Sequence, residues 1–414
     1  MPTLFSPTWL PRPWRAVLAA LVLALAALTP AQAQDGLRVV ALRTPEFTFG
    51  GPATFAILAA GDADITDVTL LLRTPDEPRT FVGKARFTKG QRVEAVYVLE
   101  PGRRRLAAFS PVEYWWELRD AAGNLLETEH QTFTYSDNRF TWQTLSEGGL
   151  TVAWYAGDRD FARQALDIAA EGLTRANRVI QAPLPETVTL YLYASAEDAQ
   201  LAVAEGNRLW ADARANPLFG IVIVALPPDA VDTPTQMARA IPHELTHILI
   251  AQKTGDRFPL VPNWLQEGLA VMNEAAPDAV AAAALADASA ADRLLPLAAL
   301  CGPFSQDAAT AQLAYAQSES VTRYIHDRFG ARALETLLTG YADGLACESG
   351  VQQALGVSLA TLEADWRRDK VDANPDTLPL RLFAPWLILG GLVLAGPLLL
   401  LALTHGAARP KRMV

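Results

Sequence analysis

Two stretches of the chain are apolar without interruption. Ala16 to Leu28 follows Arg12 and Arg15 and is followed by Ala31-Gln32-Ala33. A basic start, an apolar middle and a small-x-small end are the layout of a cleaved secretory signal. At about 13 residues the run falls short of the ~20 that a membrane span needs. Leu382 to Leu403 is longer and carries no charge. As a helix its 22 residues would reach about 33 Å, enough to cross the hydrocarbon layer. Trp386 suits the outer interface, and Arg409, Lys411 and Arg412 follow on the far side. Positive charge stays inside, so the tail is expected in the cytoplasm and the body outside the cell membrane. The pattern therefore predicts a signal peptide over 1–33, a single-pass transmembrane helix over 382–403 and a cytoplasmic tail over 404–414.

Between these ends the periodicity changes once. Over 34–138, short runs rich in Val, Thr, Phe and Tyr alternate with turn residues: Leu37–Leu42, Ala53–Ala59, Val68–Arg73, Val93–Leu99, Tyr114–Arg119 and Thr128–Tyr135. Spacing near ten residues predicts an all-β sandwich, of the immunoglobulin or fibronectin-like kind. Its clearest hairpin turns at Asp120-Ala121-Ala122-Gly123-Asn124. Adjacent strand residues face opposite ways, so Trp115 and Trp116 are expected to divide between core and surface. Over 139–372 the order is mixed. Thr151–Tyr155, Val188–Tyr193 and Phe219–Val224 read as strands, Arg159–Arg178 as a long amphipathic helix, and Pro234 to about Arg368 as mostly helical. A small sheet followed by helices is an α+β domain. Ala279–Ala299, rich in alanine, leaves a surface helix and a loop both open.

Composition narrows the classes. The chain has 414 residues, half of them hydrophobic and 19% charged, which excludes a disordered or fibrous protein and allows about two domains with large cores. Six of the 35 basic residues and none of the 45 acidic ones lie in residues 1–33 and 381–414, so the body carries 29 bases against 45 acids, a net −16. A body this acidic repels phosphate backbones, and nucleic acid is not an expected partner. Cys301 and Cys347 are the two cysteines. An exported address permits a bridge between them, worth ~4 kcal/mol in the chain-entropy picture; two free thiols remain the other possibility.

The chemistry concentrates at His243-Glu244-Leu245-Thr246-His247. Helical residues four apart stand one above the other, so both imidazoles can reach one ion while Glu244 projects beside them. Pro242 suits a first helical position, so the metal helix is expected to begin there. Lys253 and Gly255 supply a stop. A hydrolytic zinc site needs three protein ligands and one open position. The third is expected from Val261-Pro262-Asn263-Trp264-Leu265-Gln266-Glu267-Gly268-Leu269-Ala270, where Glu267 would return on a second, antiparallel helix. Tyr315 is the nominated donor to an oxyanion, with His326 as its competitor; His130 and His405 read as structural.

These motifs resemble the gluzincin metallopeptidases, and within them the peptidase MA-like group of exported bacterial proteins. The resemblance covers roughly 140–370. It rests on His-Glu-Leu-Thr-His, on Trp-Leu-Gln-Glu-Gly-Leu-Ala, and on Ala314-Tyr315-Ala316-Gln317-Ser318 leading into Tyr324. Two weaker matches close it, Leu355-Gly356-Val357-Ser358 and Leu362-Glu363-Ala364-Asp365-Trp366. It implies a zincin-like domain with Zn2+ held by His243, His247 and Glu267, and Glu244 as general base. It also implies that the strand Phe219–Leu226 holds extended peptide or protein substrate by backbone pairing. Two positions depart from the pattern. Many gluzincins carry an acid four residues after the glutamate ligand, where this chain has Val271, and often a tyrosine where it has Met272. Glu274 is the available substitute for orienting a histidine. The expectation is a membrane-anchored zinc peptidase; the departures motivate a second reading, an adhesion or interaction protein whose peptidase-like domain has lost turnover.

Overall fold

Alternation of buried and exposed residues runs through a strand far longer than any expected. In the computed structural model, which describes residues 36–203 and 213–371, Ala53–Thr74 is one continuous strand. Phe55, Ile57 and Ala59 are buried in its first half, and Val68, Leu70 and Leu72 in its second. The buried positions switch from odd to even between the halves, across register shifts at Ala60–Ile65 and Ile65–Asp67. Such irregularities bend a strand and re-aim its faces. This corrects the expectation of two strands: the polar stretch Asp62 to Asp67 reads as a turn in sequence but forms the bend.

The chain divides into two compact units, Met1–Phe140 and Thr141–Val414. The first contains β1 (Arg38–Leu42), β2 (Glu46–Phe47), β3 (Ala53–Thr74), β4 (Glu77–Lys84), β5 (Gly90–Leu99), β6 (Pro111–Asp120), β7 (Leu125–Glu127) and β8 (Gln131–Thr134). All eight belong to one antiparallel sheet organised on β3, whose first half pairs with β1, β2 and β5 and whose second half pairs with β4 and β6. The unit is β-rich as expected, and its strands, expected as an immunoglobulin or fibronectin-like sandwich, are joined into one hydrogen-bonded sheet through the bent β3. Trp116 is fully buried and Trp115 nearly so, at 7% exposure. The His130 ring stacks on Trp115 at 4.1 Å, covering the face that was expected to meet solvent.

The second unit starts with β9 (Gln143–Glu147), β10 (Leu150–Trp154), α1 (Arg159–Ile180), β11 (Val188–Tyr193), α2 (Ala196–Val203), β12 (Ala213–Asn216) and β13 (Ile221–Ala225). The sheet order is β12-β13-β11-β10-β9. β10, β11 and β13 run parallel, and β9 and β12 pair antiparallel on either side. Parallel neighbours need a crossover, which α1 provides between β10 and β11. Every residue of β13 is buried. Helices follow: α3 (Thr233–Thr254), α4 (Asn263–Met272), α5 (Ala279–Ala290), α6 (Ala308–Phe329), α7 (Ala331–Ala342), α8 (Cys347–Leu355) and α9 (Leu359–Trp366). The alanine-rich stretch thus contains a helix, capped by Asp278.

Two expectations about this unit are corrected. The metal-bearing helix does not begin at Pro242; α3 runs through it from Thr233. A proline inside a helix leaves the carbonyl four residues back without its usual N–H. Here Ala275 N–H donates to that carbonyl, Ala238 O, at 2.8 Å, so the helix continues. Nor is the Phe219–Leu226 strand free to hold substrate by its edge: β12 pairs with Ile221 to Val224, and the sheet edge belongs to β12. Cys301 and Cys347 form a disulfide joining the short 3-10 turn Leu297–Cys301 to the start of α8. The expected segments 1–33, 382–403 and 404–414 lie outside the described residues, among which no helix is long and apolar enough to cross a membrane.

Candidate metal centre

The site is assembled by close helix packing. α1 buries a stripe of small and apolar residues that includes Ala162, Ala165, Ala169, Gly172 and Ala176. Gly172 lies under Pro242 of α3, where a Cβ would stand 3.1 Å from the proline Cβ. α3 buries Ile241, Leu245, Ile248 and Leu249, which leaves His243, Glu244 and His247 on other faces. Gly255, at φ 55°, ends the helix as expected. α4 then returns with Glu267, and its approach to α6 is closest at Gly268. A Cβ there would lie 2.0 Å from Thr322 Oγ1 and 2.4 Å from Ser318 O. Only glycine lets α4 carry its carboxylate this deep.

Three donor atoms meet at the centre. Glu267 Oε2 lies 3.3 Å from His243 Nε2 and 3.5 Å from His247 Nε2, and the three residues form a group with metal-ligand geometry. Glu267 Oε2 is buried and makes no hydrogen bond. An orphaned carboxylate oxygen faced by two ring nitrogens is a poor resting place for polar atoms and a good one for a cation. Donors around a tetrahedral ion with bonds of ~2.1 Å stand about 3.4 Å apart, so the set fits zinc.

Electrostatics point the same way. Burial alone would push the His243 imidazolium down, but the Glu267 and Glu274 carboxylates outweigh it and hold the group up at about 10. Burial alone would raise the Glu267 carboxyl; the imidazoles of His247 and His243 instead hold it far below the usual range. Negative charge is concentrated where a divalent cation would neutralise it.

Around the donors, Glu274 takes the orienting role that Val271 cannot. Its Oε1 lies 3.1 Å from His243 Nδ1, and its Oε2 accepts from Arg239 Nε at 2.9 Å. A carboxylate at Nδ1 holds a proton there, so Nε2 is the ring atom that would give its lone pair to a cation. Arg239 also pairs with Asp278, whose other oxygen accepts from Val280 and Ala281 N–H at the start of α5. Val271 lines the adjoining cavity, and Met272 packs against the core.

Asn273 escaped the sequence reading. It is buried, and its Nδ2 lies within hydrogen-bond distance of Gly172 O, Pro242 O and Thr246 Oγ1, at 3.2, 3.0 and 2.9 Å. Its Oδ1 accepts from Arg175 Nε at 3.0 Å. One side chain thus stitches α1, α3 and the end of α4 beside the histidine pair. Its partners on α1 are about 100 residues away, and no local pattern announces such a role.

A cavity of about 860 Å³ opens beside the donors, with His243, Glu244, Arg239, Glu274 and Tyr315 among its lining residues. Glu244 is 8% exposed and makes no hydrogen bond among the described residues. The Tyr315 ring centre lies 6.4 Å from that of His243, and its edge meets Phe304. His326 is half-buried on the last turn of α6, 3.5 Å from Asp327, and does not line the cavity. The two weaker motifs close the unit: Ser358 caps α9, and the buried Trp366 donates to Ser320 Oγ at 3.0 Å.

The Peptidase MA superfamily profile matches residues 168–371. Among solved structures, the chain is similar to an M1 zinc metallopeptidase from Deinococcus radiodurans, at 15% identity over 82% of this chain and 95% of that one, with a TM-score of 0.36. It is also similar to catalytically inactive OgpA from Akkermansia muciniphila in complex with an O-glycopeptide, at 11% identity and a TM-score of 0.20. That match covers 26% of this chain and only 32% of OgpA. No curated protein matches the chain.

Proposed function

We propose that this chain, whose residues 168–371 match the Peptidase MA superfamily profile, is a zinc-dependent peptidase, tethered to the cell membrane by its C-terminal span with the body outside. The observation that carries this reading is the convergence of His243, His247 and Glu267 beside a cavity that Glu244 lines. These three would hold the zinc, and Glu274 and Arg239 would fix the presentation of His243.

When bound, such an ion supplies Lewis acidity, bringing the pKa of water from 15.7 towards ~7. Glu244 then acts as general base: its carboxylate takes a proton from the attacking water and returns it to the leaving amine. Its burial without a hydrogen bond leaves both oxygens available for that transfer. Tyr315, on the same cavity wall, would donate its phenolic proton to the developing oxyanion, a contribution typically worth ~10²–10³ in rate. The departures at Val271 and Met272 motivated a reading without turnover. Glu274 supplies the histidine–carboxylate contact that Val271 lacks, while the Met272 departure keeps the reading without turnover as the second one.

Metal analysis of the full-length protein in detergent, wild type beside His243→Ala, followed by a broad peptide library with and without chelator, tests the proposal. One zinc per chain and chelator-sensitive cleavage, abolished in Glu244→Gln, are expected. Zinc without cleavage of any peptide would move the protein to the adhesion class, and equal activity in Glu244→Gln would remove Glu244 from the reaction.

A further inference from the structure

The charged or ionisable residues lining the cavity include Asp232, Arg239, His243, Glu244, Glu274 and Asp278. Arg239, Glu274 and Asp278 satisfy one another and His243 there. Beside Thr235, Gln236 and Gln312, much of the remaining lining is alanine: Ala240 from α3, Ala281 from α5, and Ala308, Ala309, Ala311 and Ala316 from α6. Side chains this small leave unfilled the volume that a leucine or phenylalanine would occupy. Val280, beside Ala281, is 64% exposed, and Val231, beside the lining residue Asp232, is fully exposed. Into the same space faces the unpartnered carboxylate of Glu244, 8% exposed.

Building on the peptidase reading, we propose that this cavity selects extended peptides with a large apolar side chain next to the bond cleaved, and that Ala240, Ala281 and Ala309 set its size. Ala240 and Glu244 lie one turn apart on the same face of α3, so the alanine wall begins beside the reacting carbonyl. α3 lines the cavity from Asp232 to Glu244, about 18 Å along the helix axis. That length accommodates roughly five extended residues. The volume of about 860 Å³ is large enough for a bulky side chain together with its backbone. Burying a leucine or phenylalanine side chain strengthens binding by about tenfold to a hundredfold. An acidic side chain would meet the carboxylate of Glu244 and bind worse than alanine.

Binding to the zinc-loaded full-length Glu244→Gln protein, read by anisotropy of labelled peptides from a positional scanning set, tests this without needing turnover. At one position Leu and Phe are expected to bind at least tenfold tighter than Ala. Ala281→Leu and Ala309→Leu place a good helix former at helical, half-buried or exposed sites and should fold. Each is expected to lower the Phe-to-Ala affinity ratio at least fivefold. No binding, no preference for bulk, or a ratio unmoved in both variants overturns the inference. Cleavage by the wild type is scored separately. Its absence, with the apolar preference intact, would sink the peptidase reading and leave the preference standing.

Discussion

One carboxylate, that of Glu274, binds two successive turns of α3: its Oε1 lies 3.1 Å from His243 Nδ1, and its Oε2 takes the Arg239 Nε–H at 2.9 Å. His243 and Arg239 are four residues apart, so both side chains reach Glu274 from one face of the helix. The contact sets the histidine tautomer as well as its position.

Glu274→Gln keeps the shape of that contact and removes its charge. Loss of such an outer partner typically costs 10–100-fold in metal affinity. The expected result is zinc affinity reduced by that factor, measured by competition with a chromogenic chelator, with little change in folding. Unchanged affinity would mean that Glu274 does not orient His243.

Gly268→Ala should damage both fold and site. The added methyl would lie 2.4 Å from Ser318 O, a backbone atom, and 2.0 Å from Thr322 Oγ1, so α4 must shift away from α6. Overpacking of this kind costs about 1–3 kcal/mol, and the shift would carry Glu267 away from the histidines. Urea denaturation and zinc content should fall together; full stability with full zinc occupancy would refute the packing argument.

How much of this was legible follows from the range of each interaction. His243, Glu244 and His247 are readable because they obey helical spacing, and Glu267 because it follows them within one helix–turn–helix. Pro242 misled because proline rules describe a helix's own hydrogen bonds, whereas Ala275 repairs the gap from outside. The edge of β13 misled for the same reason, its partner being set by sheet assembly. β3 was divided because a bulge and a turn share polar residues. Asn273 and the fit of Gly268 were invisible, since their partners are set by packing and not by position along the chain.

Asn273→Ala should test the stitch between helices. It would leave the carbonyls of Gly172 and Pro242 without the Asn273 amide, and Arg175 without its side-chain acceptor. Both carbonyls lie inside helices and keep their intrahelical N–H donors, and Pro242 O also keeps Thr246 Oγ1 at 2.7 Å, so the loss is that of the Asn273 bonds themselves, about 0.5–1.5 kcal/mol each. A net loss of about 2–3 kcal/mol is expected by chemical denaturation. A loss no greater than that of an exposed Asn→Ala control would show that the amide does not hold the helices.

The metal-free protein should have a pH signature of its own. Burial opposes charge on His243, yet Glu267 and Glu274 raise its pKa from 6.5 to about 10. A raised folded-state value means that the protonated imidazole stabilises the fold fully below pH 6.5 and progressively less as pH climbs through about 10. Glu267, held low, acts in the opposite sense, its contribution being lost only in acid below the ordinary carboxylate range. Chelator-stripped protein is therefore expected to lose stability between pH 7 and 10. His243→Gln should lack that alkaline decline. Zinc must displace the same proton, so uptake near pH 7.5 should release about one proton from His243, measurable by calorimetry in buffers of different ionisation enthalpy. A flat alkaline profile in the stripped wild type, or uptake without proton release, would show that His243 is neutral in the empty site.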